Sequence, residues 1–265
     1  MAEATLDLVR EDGVLWCTLA RPDALNALSP AMVDELHALY DQLADDEGTR
    51  IVVLRGAGRA FCAGLDLKEA AAGSGDAGVA ASLRAQRHIA ELAIKMRRLP
   101  QVFVACIHGA ACGGGFMLAL ASDLRLAGAS ARMNAAFIKL GLSGCDVGVS
   151  YLLPRLAGAS VAAELILTGR FLGAERAREL GLVSAVVADD QLEAEARSLV
   201  ADLLRTTPLG LRLSKEALNA SLDMSSIETV VALEDRNQVL CARTRDFREG
   251  VQAFLEKRDP VFENR

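Results

Sequence analysis

The chain has 265 residues, 52% of them hydrophobic and 4% aromatic, with a net charge of −6. That is enough apolar mass for one large domain core. The acidic balance and the scarcity of aromatic rings argue against a nucleic-acid surface, which needs basic charge and stacking platforms. The six cysteines (Cys17, Cys62, Cys106, Cys112, Cys145, Cys241) contain no CxxC pair, and the three histidines are not closely spaced. No zinc set is expected from them, and reduced, mostly buried thiols are. The acidic N-terminal stretch MAEATLDLVRED does not read as a signal peptide, and no run approaches the roughly 20 apolar residues of a membrane span. A cytoplasmic protein with no membrane partner is expected.

In chain order, Leu6–Arg10 and Val14–Ala20 read as strands of a hairpin turning at Glu11-Asp12-Gly13. Ser29 and Pro30 open a helix whose apolar positions Met32, Leu36, Leu39 and Leu43 keep helical spacing. Ile51–Leu54 and Val102–Ile107 read as strands covered on both faces. Between them, residues 70–79 are small and Gly-rich and are expected to form a mobile loop, followed by a helix ending at Arg98. Gly113–Ala121 reads as helix and Leu124–Ala127 as strand. This alternation predicts an α/β fold with a parallel sheet. After about residue 190 only helical periodicity remains, so two regions are expected: a core over 1–190 and a helical region over 191–265, packing on the core and on a neighbouring subunit.

Two segments carry the chemistry. Gly56–Leu67 (GAGRAFCAGLDL) follows a buried strand, where open α/β sheets place ligands, and its small residues leave backbone N–H groups approachable. Ile107–Met117 (IHGAACGGGFM) places three glycines at a helix start. There they cost helix stability but leave N–H groups at the positive end of the helix dipole. A nucleotide-phosphate loop is the rival reading, but neither a GK[ST] ending nor GxGxxG is present. Two such N–H donors converging on one oxygen would form an oxyanion hole. Taken alone, either segment is also compatible with a plain structural turn.

The segments AFCAGLDL at 60–67, GGG at 113–115, RPDALNAL at 21–28, LTGR at 167–170, AERA at 174–177 and FLEKRDPVF at 254–262 together resemble the crotonase (enoyl-CoA hydratase/isomerase) family. The resemblance implies a ClpP-like spiral of ββα units with a helical C-terminal trimerisation region. It also implies a homotrimer or homohexamer, and a coenzyme A thioester as substrate with no further cofactor. It assigns the oxyanion amides to Cys62 and Gly114. It would give substrate contacts to Asp23, Ala24, Leu25, Ala60, Ala63, Gly64, Leu65, Asp66, Leu67, Gly113, Met117, Phe137, Leu142, Phe254 and Lys257. Lys257 would reach coenzyme A phosphates, whereas Asp23 stands where many relatives carry a basic residue. The two glutamates of the family's hydratases would fall on Met117 and Phe137, neither of which transfers a proton. Asp146, in a DVG context similar to that of the dienoyl-CoA isomerase branch, is the candidate base; a turn or helix-cap role is its alternative. His108 reads as a satisfied polar group rather than a base, and Asp66 as a cap as much as a ligand contact. The expectation is an acyl-CoA enzyme of fatty-acid type, performing isomerisation or a related proton transfer. A hydratase and a non-catalytic acyl-CoA binder are the alternatives.

Overall fold

The computed structural model describes residues 4–73 and 78–264. The hairpin forms as β1 (Leu6–Glu11) and β2 (Val14–Leu19), with Gly13 at φ 82° in its turn. Ser29 caps α1 (Pro30–Ala44), its Oγ accepting the Met32 N–H at 3.2 Å. There follow β3 (Ile51–Gly56), α2 (Leu67–Gly73), α3 (Val79–Arg98), β4 (Val102–Ile107), β5 (Ala110–Cys112), α4 (Gly114–Ala121), β6 (Leu124–Gly128) and β7 (Arg132–Asn134). The chain continues through α5 (Val149–Ala157), α6 (Ala159–Thr168), β8 (Leu172–Gly173), α7 (Ala174–Glu179) and β9 (Ala185–Val187). It ends in α8 (Leu192–Leu204), α9 (Pro208–Ser221), α10 (Ile227–Ala242) and α11 (Arg245–Glu256). The loop expected over 70–79 is helical to Gly73, Gly78 caps the helix that begins at Val79, and residues 74–77 lie outside the described residues.

The main sheet has the order β1-β2-β3-β4-β6-β9 and is parallel from β2 onward; β5, β7 and β8 form a small second sheet. Alternation along the strands builds two cores. Leu15, Val52, Leu54, Phe103 and Ala105 point to the side of α1, α3 and α4. Val14, Trp16, Ile51, Val53, Val102 and Val104 point to the opposite side, and there Leu192, Ala196 and Val200 of α8 cover them. Helix α8, the first element of the region expected to start at residue 191, thus supplies the second cover of the sheet.

Helix α9 is tied in by a buried cation. Lys215 is 5% exposed, and its Nζ donates to Met96 O at 2.9 Å and Gln101 O at 2.6 Å while pairing with Asp123 Oδ2 at 2.8 Å. Helices α10 and α11 are attached differently. Asn237 is the buried residue of α10, and on α11 Phe254 is 83% and Leu255 69% exposed. The C-terminal stretch folds back on α11, where Asp246 accepts the Glu263 and Asn264 N–H groups at 2.8 and 2.9 Å. No helix of the described residues is long and apolar enough to cross a membrane.

Candidate active site

The two glycine-bearing segments are stitched to each other and to residues 21–28. Cys62 N–H donates to Ala110 O and Cys112 N–H to Cys62 O, both at 3.0 Å. A Cβ on Gly115 would stand 2.1 Å from Cys62 O, so only glycine permits this approach. Ala63 N–H donates to Leu25 O at 3.0 Å, Leu28 N–H to Gly64 O at 2.7 Å and Asp66 N–H to Leu28 O at 3.0 Å. Asn26, fully buried, closes the junction: its Oδ1 accepts the Arg21 N–H at 2.9 Å and its Nδ2 donates to Ala57 O and Ala60 O at 2.8 Å each.

These bonds correct one expectation. Cys62 cannot offer its amide to a ligand, because that N–H is spent on Ala110 O. Two residues further on, Gly64 takes φ 100°, a region closed to most side chains, and turns the chain against the start of α4. A Cβ there would lie 2.7 Å from Cys112 O and 3.5 Å from Gly114 N. Within this turn Ala63 and Asp66 have backbone acceptors, but Leu65 N–H has none among the described residues. Gly114 N–H is likewise unpaired. It opens α4, whose cap residue Gly113 has no side chain to offer and donates its own N–H to Asn134 O at 3.0 Å. The available donor pair is therefore Leu65 and Gly114. Burial pushes the Cys62 thiol up to about 12, so its sulfur is a packed, protonated group.

Both donors border a cavity of about 330 Å³. Its wall brings together the predicted Ala63, Gly64, Leu65, Leu67, Gly113, Gly114, Phe137, Leu142 and Asp146. The other expected contacts are not on this wall. Met117 is a fully buried residue of α4 and Ala60 is buried, and neither lines the cavity. Asp23 and Ala24 sit on a short 3-10 turn (Pro22–Ala24), with Leu25 its C-cap; Leu25 supports Ala63 through its carbonyl. Phe254 and Lys257 lie at the C-terminal end of α11, away from the cavity wall. Asp66 caps α2: its Oδ1 accepts the Lys68 and Glu69 N–H groups at 3.1 and 3.2 Å, and Oδ2 pairs with Arg21 at 3.0 Å. His108 Nε2 is satisfied by Gly58 O at 2.9 Å.

Asp146 is half-buried on the cavity wall. Its Oδ1 accepts from Gln86 Nε2 at 2.6 Å and from the Val147 N–H at 2.7 Å. It caps no helix, since the cap of α5 is Gly148 and no side chain bonds there. Burial raises its pKa, against the lowering effect of the Val147 N–H. Val147 itself takes φ 42°, a rare conformation for a β-branched residue and one found where structure is held for function. Sequence reading missed Gln86, Ile89, Lys139, Leu140 and Phe171, which also line the wall, as do Leu28, Cys112, Asn134, Ala136 and Val147. Gln86 and Ile89 share a helix face at i, i+3, but nothing in the chain said which loop that face would meet.

The family model described as enoyl-CoA hydratase/isomerase matches residues 9–265. This chain belongs to that family. A Mycobacterium leprae protein named "probable enoyl-CoA hydratase" is 39% identical over 260 residues, covering 97% of this chain and 88% of that one. The 1,2-epoxyphenylacetyl-CoA isomerase of Escherichia coli is 38% identical over 252 residues, covering 95% of each. The crystal structure of enoyl-CoA hydratase from Bacillus anthracis superposes with a TM-score of 0.93 at 35% identity, covering 98% of this chain and 100% of that one. The expected crotonase fold, with its helical C-terminal region, is therefore the fold of this enoyl-CoA hydratase/isomerase family member. Among the described residues no cluster of three or more His, Cys, Asp or Glu could hold a metal ion.

Proposed function

We propose that this family member moves a double bond in an acyl-CoA thioester by proton transfer through an enolate. The supporting observation is the pair of unpaired N–H groups, Leu65 and Gly114, on the wall of an apolar cavity that also carries one carboxylate, Asp146. The thioester oxygen accepts from the two amides. Asp146 takes a proton from the α-carbon, the C–H electrons pass into the new C=C bond, and the carbonyl oxygen becomes the enolate oxygen. Returning that proton at the γ-carbon completes the isomerisation with one base and no other reactant. Each amide donor is worth about 3 kcal/mol to such a developing oxyanion. The thioester of coenzyme A is the substrate, and no further cofactor enters.

Two-glutamate water addition fits these residues poorly. At the two positions where the resemblance implies glutamates stand Met117, fully buried, and Phe137, whose ring lies 3.3 Å from where a Cβ on Gly113 would be. Isomerisation of 3-hexenoyl-CoA to the conjugated 2-enoyl ester, followed by ultraviolet absorbance, tests the reading. Asp146→Asn is expected to lower kcat roughly hundredfold or more with little change in KM. Fast hydration of crotonyl-CoA, unchanged in Asp146→Asn, overturns it in favour of a hydratase. Tight acyl-CoA binding with no proton exchange at the α-carbon overturns it in favour of a binding protein.

A further inference from the structure

We infer that Gln86 is a positioning residue that decides which oxygen of Asp146 carries the proton. This rests on the reading of Asp146 as the base. The bonds around the carboxylate are lopsided. Gln86 Nε2 and the Val147 N–H both donate to Oδ1, at 2.6 and 2.7 Å, while Oδ2 has no partner among the described residues. Protonation at Oδ2 leaves Oδ1 as a carbonyl oxygen that keeps both hydrogen bonds. Protonation at Oδ1 would break at least one of them. The proton is thereby directed to Oδ2, and Oδ1 stays anchored through both halves of the transfer.

Gln86 can hold this position because its helix is fixed one turn further on. Ile89 lies on the same face of α3 and lines the cavity, and Leu92, Ala93 and Met96 are buried in the core. Its amide bridges α3 to the loop before α5, 60 residues away in sequence. The Val147 N–H is the second donor on the same oxygen, and Val147 itself takes φ 42° in this loop. Two donors, one from α3 and one from the loop before α5, thus meet on a single atom of the cavity's carboxylate. The neutral amide also matters. Among the other wall residues, Lys139 and the Cys112 thiol are the ionisable groups, and on α3 Arg87 is paired with Glu91 and His88 with Asp34. A glutamate at position 86 would instead share one proton with Asp146, as carboxylate pairs do.

The test titrates Asp146 directly. Protein labelled with carbon-13 at the Asp carboxyl is followed by NMR, the Asp146 signal being assigned by its loss in Asp146→Asn. The kcat and KM for 3-hexenoyl-CoA are measured across pH in parallel. Gln86→Leu is expected to raise the Asp146 midpoint and lower kcat about tenfold, with KM within about twofold. Gln86→Glu is expected to raise the midpoint further and move the acid limb of the kcat profile with it. Wild-type titration and wild-type turnover in both Gln86 variants overturn this inference alone, provided Asp146→Asn is inactive. Full isomerase activity in Asp146→Asn overturns the proposed function instead, and the NMR midpoints still decide the role of Gln86.

Discussion

A main-chain donor can be removed without touching a side chain. Replacing Leu65 by its α-hydroxy acid deletes one N–H that has no internal partner, so folding should be unaffected. Isomerisation should fall roughly hundredfold, as for loss of one oxyanion donor. The same replacement at Cys62 deletes the bond to Ala110 O and should cost stability, read as a lower Tm, because that N–H is structural. In the proposed isomerisation Asp146 sets the pH dependence. A base must be ionised to act, and burial raises this carboxyl. Activity should therefore fall as pH drops, with a midpoint raised from the ordinary aspartate value, in a pH profile of kcat/KM.

At the scale of elements, single polar groups decide how helices and turns attach to the sheet. Lys215 Nζ satisfies two carbonyls and sits against Asp123, which also accepts the Phe103 N–H at 2.8 Å. Lys215→Met leaves both carbonyls without this donor and the carboxylate with only the Phe103 N–H and Arg97, 3.5 Å away. A loss of about 3–5 kcal/mol is expected in urea unfolding. The turn joining α1 to β3 depends on Asp46. The Thr49 hydroxyl, the Thr49 and Gly48 N–H groups and Arg10 all bond its carboxylate and lower its pKa to about 2. Because the folded-state value is depressed, this stabilisation is complete above the unfolded value of about 4 and is lost as pH falls toward 2. Thermal melts of the wild type and Asp46→Asn should accordingly converge in that window.

For the whole molecule, several of the exposed apolar residues lie on the C-terminal helices. Ile227 and Val231 on α10 and Phe247, Val251, Phe254 and Leu255 on α11 are open to solvent in the single chain. Exposed apolar side chains on one pair of helices are a candidate interface between subunits. The expected assembly is a homotrimer or homohexamer, which would carry Lys257 to a neighbour's coenzyme A. Light scattering after gel filtration checks this, and Phe254→Glu with Leu255→Glu should shift the mass toward the monomer.

The chain's local patterns were enough to reveal five strands of the main sheet, the capped α1, the parallel order and both glycine-bearing segments, but not the two- and three-residue strands β5, β7, β8 and β9. Alternation, helical spacing and glycine placement are short-range properties, and the motif order from 21 to 262 carried the family. The register between segments was not legible in this way. Whether Cys62 or Leu65 keeps a free amide depends on which carbonyl of residues 110–112 faces it, and that is decided only when two loops some 50 residues apart close on each other. The partners of Asp146 were hidden for the same reason. Gln86 reads as one more polar residue on an exposed helix until packing of α3 against the 141–148 loop puts its amide on a single carboxylate oxygen. Periodicity records which face of an element is buried; hydrogen-bond availability is a property of the contact between elements, so only the tertiary structure could assign it.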